Sequence, residues 1–296
     1  MNPTKIGYVG TGADGRPIEA KRVRGWKPAG IGCSNGCPGC YACKTSKRFK
    51  AQIAKCGTGE VVVRDGLRYH VCEARRKDGK LHRWHACEAC ANFEVHLHRE
   101  RLDDPARAKG PYIVLVNFFA DTFDKERRPE DMDRTLDAAG EAPQHTYVWL
   151  TKQAERLAEH IESPPDNWYC GLTIRNQADA DRELEPFLSI PGNLWISYEP
   201  AIARVAWEFI LGGVDDQPCG IIIGHDNRKG APGTETLAHI ADCVQACKAA
   251  GIRWFVKQIW LDGVFLRASK PEEYAQFPTY LSMYARLPWS APEERP

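Results

Sequence analysis

Cys33, Cys37 and Cys40 lie within the glycine-rich run Gly32-Cys33-Ser34-Asn35-Gly36-Cys37-Pro38-Gly39-Cys40-Tyr41, a C-x3-C-x2-C loop. Thiolates this close can wrap one small polynuclear centre, and glycine lets the backbone curl around it. A mononuclear structural zinc site normally takes four ligands in two pairs. Three thiolates on one tight loop instead suit a 4Fe-4S cube with one iron left open, and an open iron points to a reaction rather than a scaffold. The competing reading is a zinc knuckle completed by Cys43 or by a residue of the next segment.

A second group of candidate ligands follows. Cys43, Cys56, Cys72, Cys87 and Cys90, with His70, His82 and His85, lie between the loop and Phe93. Cys87-Glu88-Ala89-Cys90 has knuckle spacing, and Cys56 with Cys72 would complete a tetrahedral zinc site. Cys43, His82 and His85 compete for places in that set, and free thiols or an auxiliary iron–sulfur cluster are the alternatives. Residues 61–63 and 68–71 around Asp65-Gly66 read as a hairpin. A hairpin with a Cys-x2-Cys turn suits a small zinc ribbon, because so few residues bury too little apolar surface on their own.

These groups need elements to position them. Apolar runs at 23–31, 112–119, 146–150, 168–174, 194–197, 220–223 and 253–256 read as short buried strands. Amphipathic helical patterns at 129–139, 153–161, 179–188 and 234–250 separate the later runs, which predicts βα units and a parallel sheet. Seven such strands suit a partial TIM-like (β/α) barrel, an α/β fold, carrying a Cys/His-rich insertion after its first strand. The expected division is an N-terminal loop at 1–22, the barrel at 23–43 and 92–265, the basic insertion at 44–91 and a tail at 266–296.

Nearly every strand runs into a polar cluster: Asn117 and Asp121, Thr151-Lys152-Gln153, Thr173 with Arg175-Asn176, Ser197 and Glu199, His225-Asp226, and Lys257-Gln258. Parallel-strand proteins place their sites at the carboxyl ends of strands, so these residues are candidates for one common mouth. Helix capping and ordinary loop polarity account for a share of them.

Composition narrows the function. The net charge of +1 names no partner, but residues 44–101 carry fourteen Lys/Arg against seven Asp/Glu, and five of the nine histidines. Such a segment can face nucleic acid or simply solvent. No apolar stretch is long enough to span a membrane, and the N-terminus lacks a signal-peptide pattern. Twelve cysteines without an export signal favour a reducing, cytoplasmic setting and metal ligation over disulfides.

The cysteine spacing, followed by Tyr41, resembles the signature of the radical S-adenosylmethionine (radical SAM) superfamily. Beyond the cysteines, the segment order resembles a radical-SAM-like family of phages and prophages whose function is unassigned. The matching stretches are 32–42, 93–102, 114–123, 143–152, 171–177, 196–200, 221–226 and 255–258. Two departures stand out. The gap between Cys33 and Cys37 is that of the wider superfamily rather than the longer gap of many relatives, and Asn117-Phe118-Phe119-Ala120-Asp121 stands where the superfamily has Gly-Gly-Glu.

The resemblance implies a cluster on Cys33, Cys37 and Cys40, with SAM on its fourth iron and a reducing electron donor. It implies one-electron cleavage of SAM and hydrogen abstraction from a substrate. Tyr41, Asn117, Lys152, Arg175, Asn176 and Glu199 are the candidate cofactor contacts. The basic insertion and the phage resemblance favour a nucleobase, nucleotide or nucleic acid as substrate. The rival reading is a zinc protein that binds nucleic acid without redox catalysis.

Three further patterns carry less. Gly10-Thr11-Gly12-Ala13-Asp14-Gly15 satisfies GxGxxG, but Arg16-Pro17 follows where a dinucleotide fold would open a helix. His239, Cys243 and Cys247 lie on a helical stripe with Ile240 and Val244, which reads as core. Cys170 sits in an apolar strand and reads the same way.

Overall fold

The computed structural model describes residues 1–3, 23–37, 39–56, 59–75, 78–212, 218–226, 234–261 and 264–267. The GxGxxG run and the tail beyond residue 267 lie outside them. In chain order the elements begin with β1 (Asn2–Pro3), β2 (Val23–Trp26), α1 (Tyr41–Cys56), β3 (Val61–Arg64), β4 (Leu67–Arg75), β5 (Leu81–Cys87) and α2 (Glu88–Asn92). They continue with α3 (Asp104–Arg107), β6 (Ile113–Val116), α4 (Pro129–Gly140), β7 (Thr146–Val148), α5 (Ala154–His160), β8 (Trp168–Thr173) and α6 (Gln177–Leu188). Last come β9 (Asn193–Tyr198), α7 (Trp207–Gly212), β10 (Gly220–Gly224), α8 (Thr234–Ala250), β11 (Arg253–Leu261) and β12 (Val264–Arg267).

The chain divides into two compact units. One comprises residues 25–109 and 115–143 with Met1; the other comprises 2–24, 110–114 and 144–296. The cysteine loop and residues 44–91 share the first unit.

In the second unit, alternating strands and helices build a mixed α/β layer. The sheet order is β1-β2-β6-β7-β8-β9-β10-β11-β12, with β2 and β6 contributing their opening residues to this unit. The pairs from β7 to β11 are parallel, and β12 returns antiparallel on β11. Strands buried on both faces read as continuous apolar runs, which is why β8, β9 and β10 are almost wholly buried. Gly171 in β8 is required by packing, since a Cβ there would lie 2.3 Å from the Trp195 ring. The stripe of Ile240, Cys243, Val244 and Cys247 on α8 is buried core, as is Cys170. Among the described residues no helix is long and apolar enough to cross a membrane.

The first unit is built around a small antiparallel sheet, β3-β4-β5. Its first hairpin pairs Val63 with Arg68 and Arg64 with Leu67, turning at Asp65-Gly66, where both residues have positive φ. The apolar cluster of Ile31, Ala42, Tyr69, Cys87, Ala89 and Cys90 joins α1, this sheet and α2, with Cys40, Phe49 and Phe119 packed against it. The residues leading into the cysteine loop therefore share a core with the metal-ligand candidates.

Candidate metal centre and cysteine loop

In the first unit, Cys33, Cys37 and Cys40 are all free and half-buried. Gly36 and Gly39 have φ of +59° and +69°, so the loop turns at both. Cys40 immediately precedes α1, and its carbonyl accepts the N–H of Lys44 at 3.1 Å. Two buried aspartates hold the other end of the loop. Asp124 accepts from the Ser34 amide at 2.6 Å and the Ser34 hydroxyl at 2.7 Å, and Asp121 accepts from the Asn35 side chain at 3.1 Å.

Burial pushes the Cys33 thiol up to about 11, with Asp121, Asp124 and Cys40 adding to the effect against the Asn35 backbone. A free Cys33 is thus a protonated thiol at neutral pH, unsuited to nucleophilic work unless a metal displaces its proton. Tyr41 opens α1, donates its hydroxyl to the Phe118 carbonyl and sets its ring edge-on to Phe119 with centroids 5.1 Å apart.

The second ligand group is defined by Cys87, Cys90, His96 and His98. All four are buried, and their ligand atoms lie within 4.8 Å of one another. Cys90 Sγ is 3.3 Å from His96 Nε2 and 3.4 Å from His98 Nε2, and the two Nε2 atoms are 3.1 Å apart. A hydrogen bond from Cys90 outweighs burial, which acts the other way, and holds the Cys87 thiol far below its ordinary value. This group could hold a metal such as zinc.

The chain brings these ligands together by a local device. Cys87 ends β5 and Cys90 lies one turn on in α2. Phe93 then takes a left-handed conformation, φ 63°, which stops the helix and turns the chain back. The following extended residues carry His96 and His98 past Cys90, and the His98 amide donates to the Pro28 carbonyl at 2.6 Å.

The expected zinc set is corrected in half its members. Cys87 and Cys90 stay together, but Cys56 and Cys72 are disulfide-bonded to each other, their Cα atoms 4.9 Å apart at the end of α1 and in β4. His96 and His98 take their places. Neither His82 nor His85 nor Cys43 belongs to the group.

The strand-end candidates have partners of their own. Asn117, at positive φ, accepts from the Ala29 amide at 3.0 Å and donates to the Thr122 hydroxyl at 3.0 Å. In the second unit Arg175 grips Asp179 through Nε at 2.7 Å, and Asn176 caps α6 by accepting the Asp179 amide at 2.9 Å, a bond typically contributing about 1 kcal/mol. Glu199 pairs with Lys257 at 3.0 Å, with the Ser197 hydroxyl at 3.5 Å from its carboxylate. Gly224 leaves room for this carboxylate, since a Cβ there would lie 2.6 Å from it. The Glu199–Lys257 contact joins the carboxyl end of β9 to β11. Lys152 is half-buried just beyond the Thr151–Leu172 bridge.

The fold and this site define a mixed α/β protein with a Cys/His metal-type centre and a separate three-cysteine loop. A family model described as "Protein of unknown function (DUF5131)" matches residues 23–276, and the chain belongs to that family. No curated protein and no solved structure matches it.

Proposed function

We propose that the protein is a radical SAM enzyme in which Cys33, Cys37 and Cys40 hold a 4Fe-4S cluster. The observation that carries this reading is the loop itself: three free cysteines on a glycine-turned segment anchored by Asp121 and Asp124. The donor set suits the group, being three cysteine sulfurs on one short loop. When bound, such a cluster would supply the electron for reductive cleavage of SAM, and so the means of abstracting hydrogen from a substrate.

The chain's own residues do the holding. Asp124 fixes Ser34 by its amide and hydroxyl, while Asp121 fixes Asn35. Arg127, buried and hydrogen-bonded to the Asp121 carbonyl at 3.3 Å, offsets the negative charge of both aspartates. The mostly parallel sheet is read as a partial (β/α) barrel. The substrate class we favour is a nucleobase, nucleotide or nucleic acid, for which the basic surplus of residues 44–101 provides the electrostatic attraction. The setting is read as cytoplasmic, where a reducing electron donor is at hand.

The Cys87/Cys90/His96/His98 group favours one other reading, a zinc protein that binds nucleic acid without redox chemistry. Anaerobic reconstitution with iron and sulfide, then reduction and addition of SAM, separates the two. The radical SAM reading expects about four irons per chain and 5′-deoxyadenosine above the enzyme-free control. A colourless protein holding zinc alone would establish the rival, and a brown protein inert toward SAM would leave the cluster a non-catalytic role.

A further inference from the structure

We infer that Cys87, Cys90, His96 and His98 form a closed tetrahedral zinc centre whose role is to clamp the turn that feeds the cysteine loop. This does not rest on the radical SAM reading; it follows from the geometry of the first unit alone.

The histidine tautomers are fixed from outside. His96 Nδ1 lies 2.7 Å from the Glu94 carbonyl, which only accepts, so Nδ1 carries the proton and Nε2 is a bare lone pair. His98 Nδ1 lies 2.9 Å from a Glu100 carboxylate oxygen, which only accepts, and the neighbouring Tyr69 hydroxyl donates to that same oxygen at 3.2 Å, which leaves the His98 Nε2 bare. Carboxylate and carbonyl partners on the far nitrogen are how proteins orient imidazoles toward zinc.

Two bare nitrogens then face one another 3.1 Å apart in a buried spot, with Cys90 Sγ against both. Thiols are only weak donors to such nitrogens. A cation between them satisfies both nitrogens and both sulfurs at once. Zinc–ligand bonds of about 2.05 Å to nitrogen and 2.3 Å to sulfur imply tetrahedral edges of about 3.3 Å (N–N) and 3.6 Å (N–S). The observed 3.1, 3.3 and 3.4 Å sit close to these edges. Two thiolates and two neutral imidazoles around a divalent ion also give a net charge of zero, which burial tolerates. Four protein ligands leave no open position, as in structural rather than catalytic zinc sites.

The same atoms touch the turn before the cysteine loop. Gly30, at φ +61°, lies so close that a Cβ there would be 2.4 Å from His96 Nε2, 2.8 Å from His98 Nε2 and 2.9 Å from Cys90 Sγ. The Ile31 amide bonds the Cys90 sulfur, and the Pro28 carbonyl accepts the His98 amide. Arg127 makes a second link, donating to the His96 carbonyl at 2.7 Å and to the Asp121 carbonyl. Metal at this centre therefore fixes residues 28–31 and, through Asp121, the Asn35 end of the loop.

The test uses the full chain. Wild type and the triple variant Cys33→Ala/Cys37→Ala/Cys40→Ala are both expected to carry one zinc per chain, and cobalt(II) in its place should show the intense visible bands of a tetrahedral thiolate–imidazole site. Glu100→Gln should fold yet lower zinc affinity about 10–100-fold in chelator competition. Stripping zinc from wild type should raise amide exchange at residues 28–35 above that of the second unit. Absence of zinc, octahedral cobalt, loss of zinc in the triple variant, unchanged affinity in Glu100→Gln, or exchange at 28–35 that does not respond selectively to stripping would each overturn the inference.

Discussion

Cys37→Ala is expected to remove both the visible absorbance of the reconstituted protein and all SAM cleavage, while leaving the zinc content at one per chain. Cys37 is half-buried in a loop whose neighbouring Gly36 is exposed, so truncating it strips no core contact and the fold should persist. A cube held by two thiolates loses a third of its protein ligands, and nothing else in the loop can replace a thiolate: Ser34 and Asn35 are committed to Asp124 and Asp121. The measurement is iron, sulfide and 5′-deoxyadenosine on the variant beside wild type. Retained cleavage would show that Cys37 is not a ligand.

Gly30→Ala should be strongly damaging to the first unit although it adds only one methyl group. Two effects combine. An L side chain at φ +61° costs about 1 kcal/mol, and forcing a methyl into a packed site typically costs a further 1–3 kcal/mol. Here the methyl meets both imidazoles and the Cys90 sulfur, which are held from behind by Glu94, Glu100 and Tyr69 and cannot retreat. We expect about 2–4 kcal/mol lost in urea unfolding, with weakened zinc retention. Gly36→Ala supplies the control: its φ is +59°, yet nothing lies within 4 Å of the added Cβ, so only the backbone cost of about 1 kcal/mol should appear. Equal losses in the two variants would mean that Gly30 does not press on the Cys/His group.

Much of the second unit could be read from the chain because its strands are buried on both faces. Continuous runs such as Trp168–Thr173 and Gly220–Gly224 announce parallel strands, and the helical stripe of α8 was equally plain. The first unit was harder. The helix Tyr41–Cys56 is strongly basic and has few buried residues, so it read as part of a basic insertion facing nucleic acid or solvent rather than as an element sharing a core with the residues leading into the cysteine loop. The strand Leu81–Cys87 is mostly exposed and carries little periodicity to detect.

The metal group was half legible. Cys87 and Cys90 stand at ligand spacing, but the use of His96 and His98 depends on Phe93 adopting a left-handed conformation that glycine or asparagine would ordinarily mark. The nearby spacing Cys87-x2-Cys90-x5-His96-x-His98 was the available signal. The pairing of Cys56 with Cys72 is tertiary, set by where α1 ends beside β4, and spacing could not reveal it. At the strand ends the polar residues fall where parallel-sheet logic puts them, yet Arg175 and Asn176 are occupied with α6 and Asn117 with the turn at Ala29.

The most direct test is electron paramagnetic resonance of the reduced, reconstituted protein with and without SAM. A vacant corner on the cube predicts a reduced-cluster signal whose shape changes when SAM is added, and a further change with SAM isotopically labelled at its amino or carboxylate group. A signal indifferent to SAM, or no iron signal in protein that has been correctly loaded, would contradict the account.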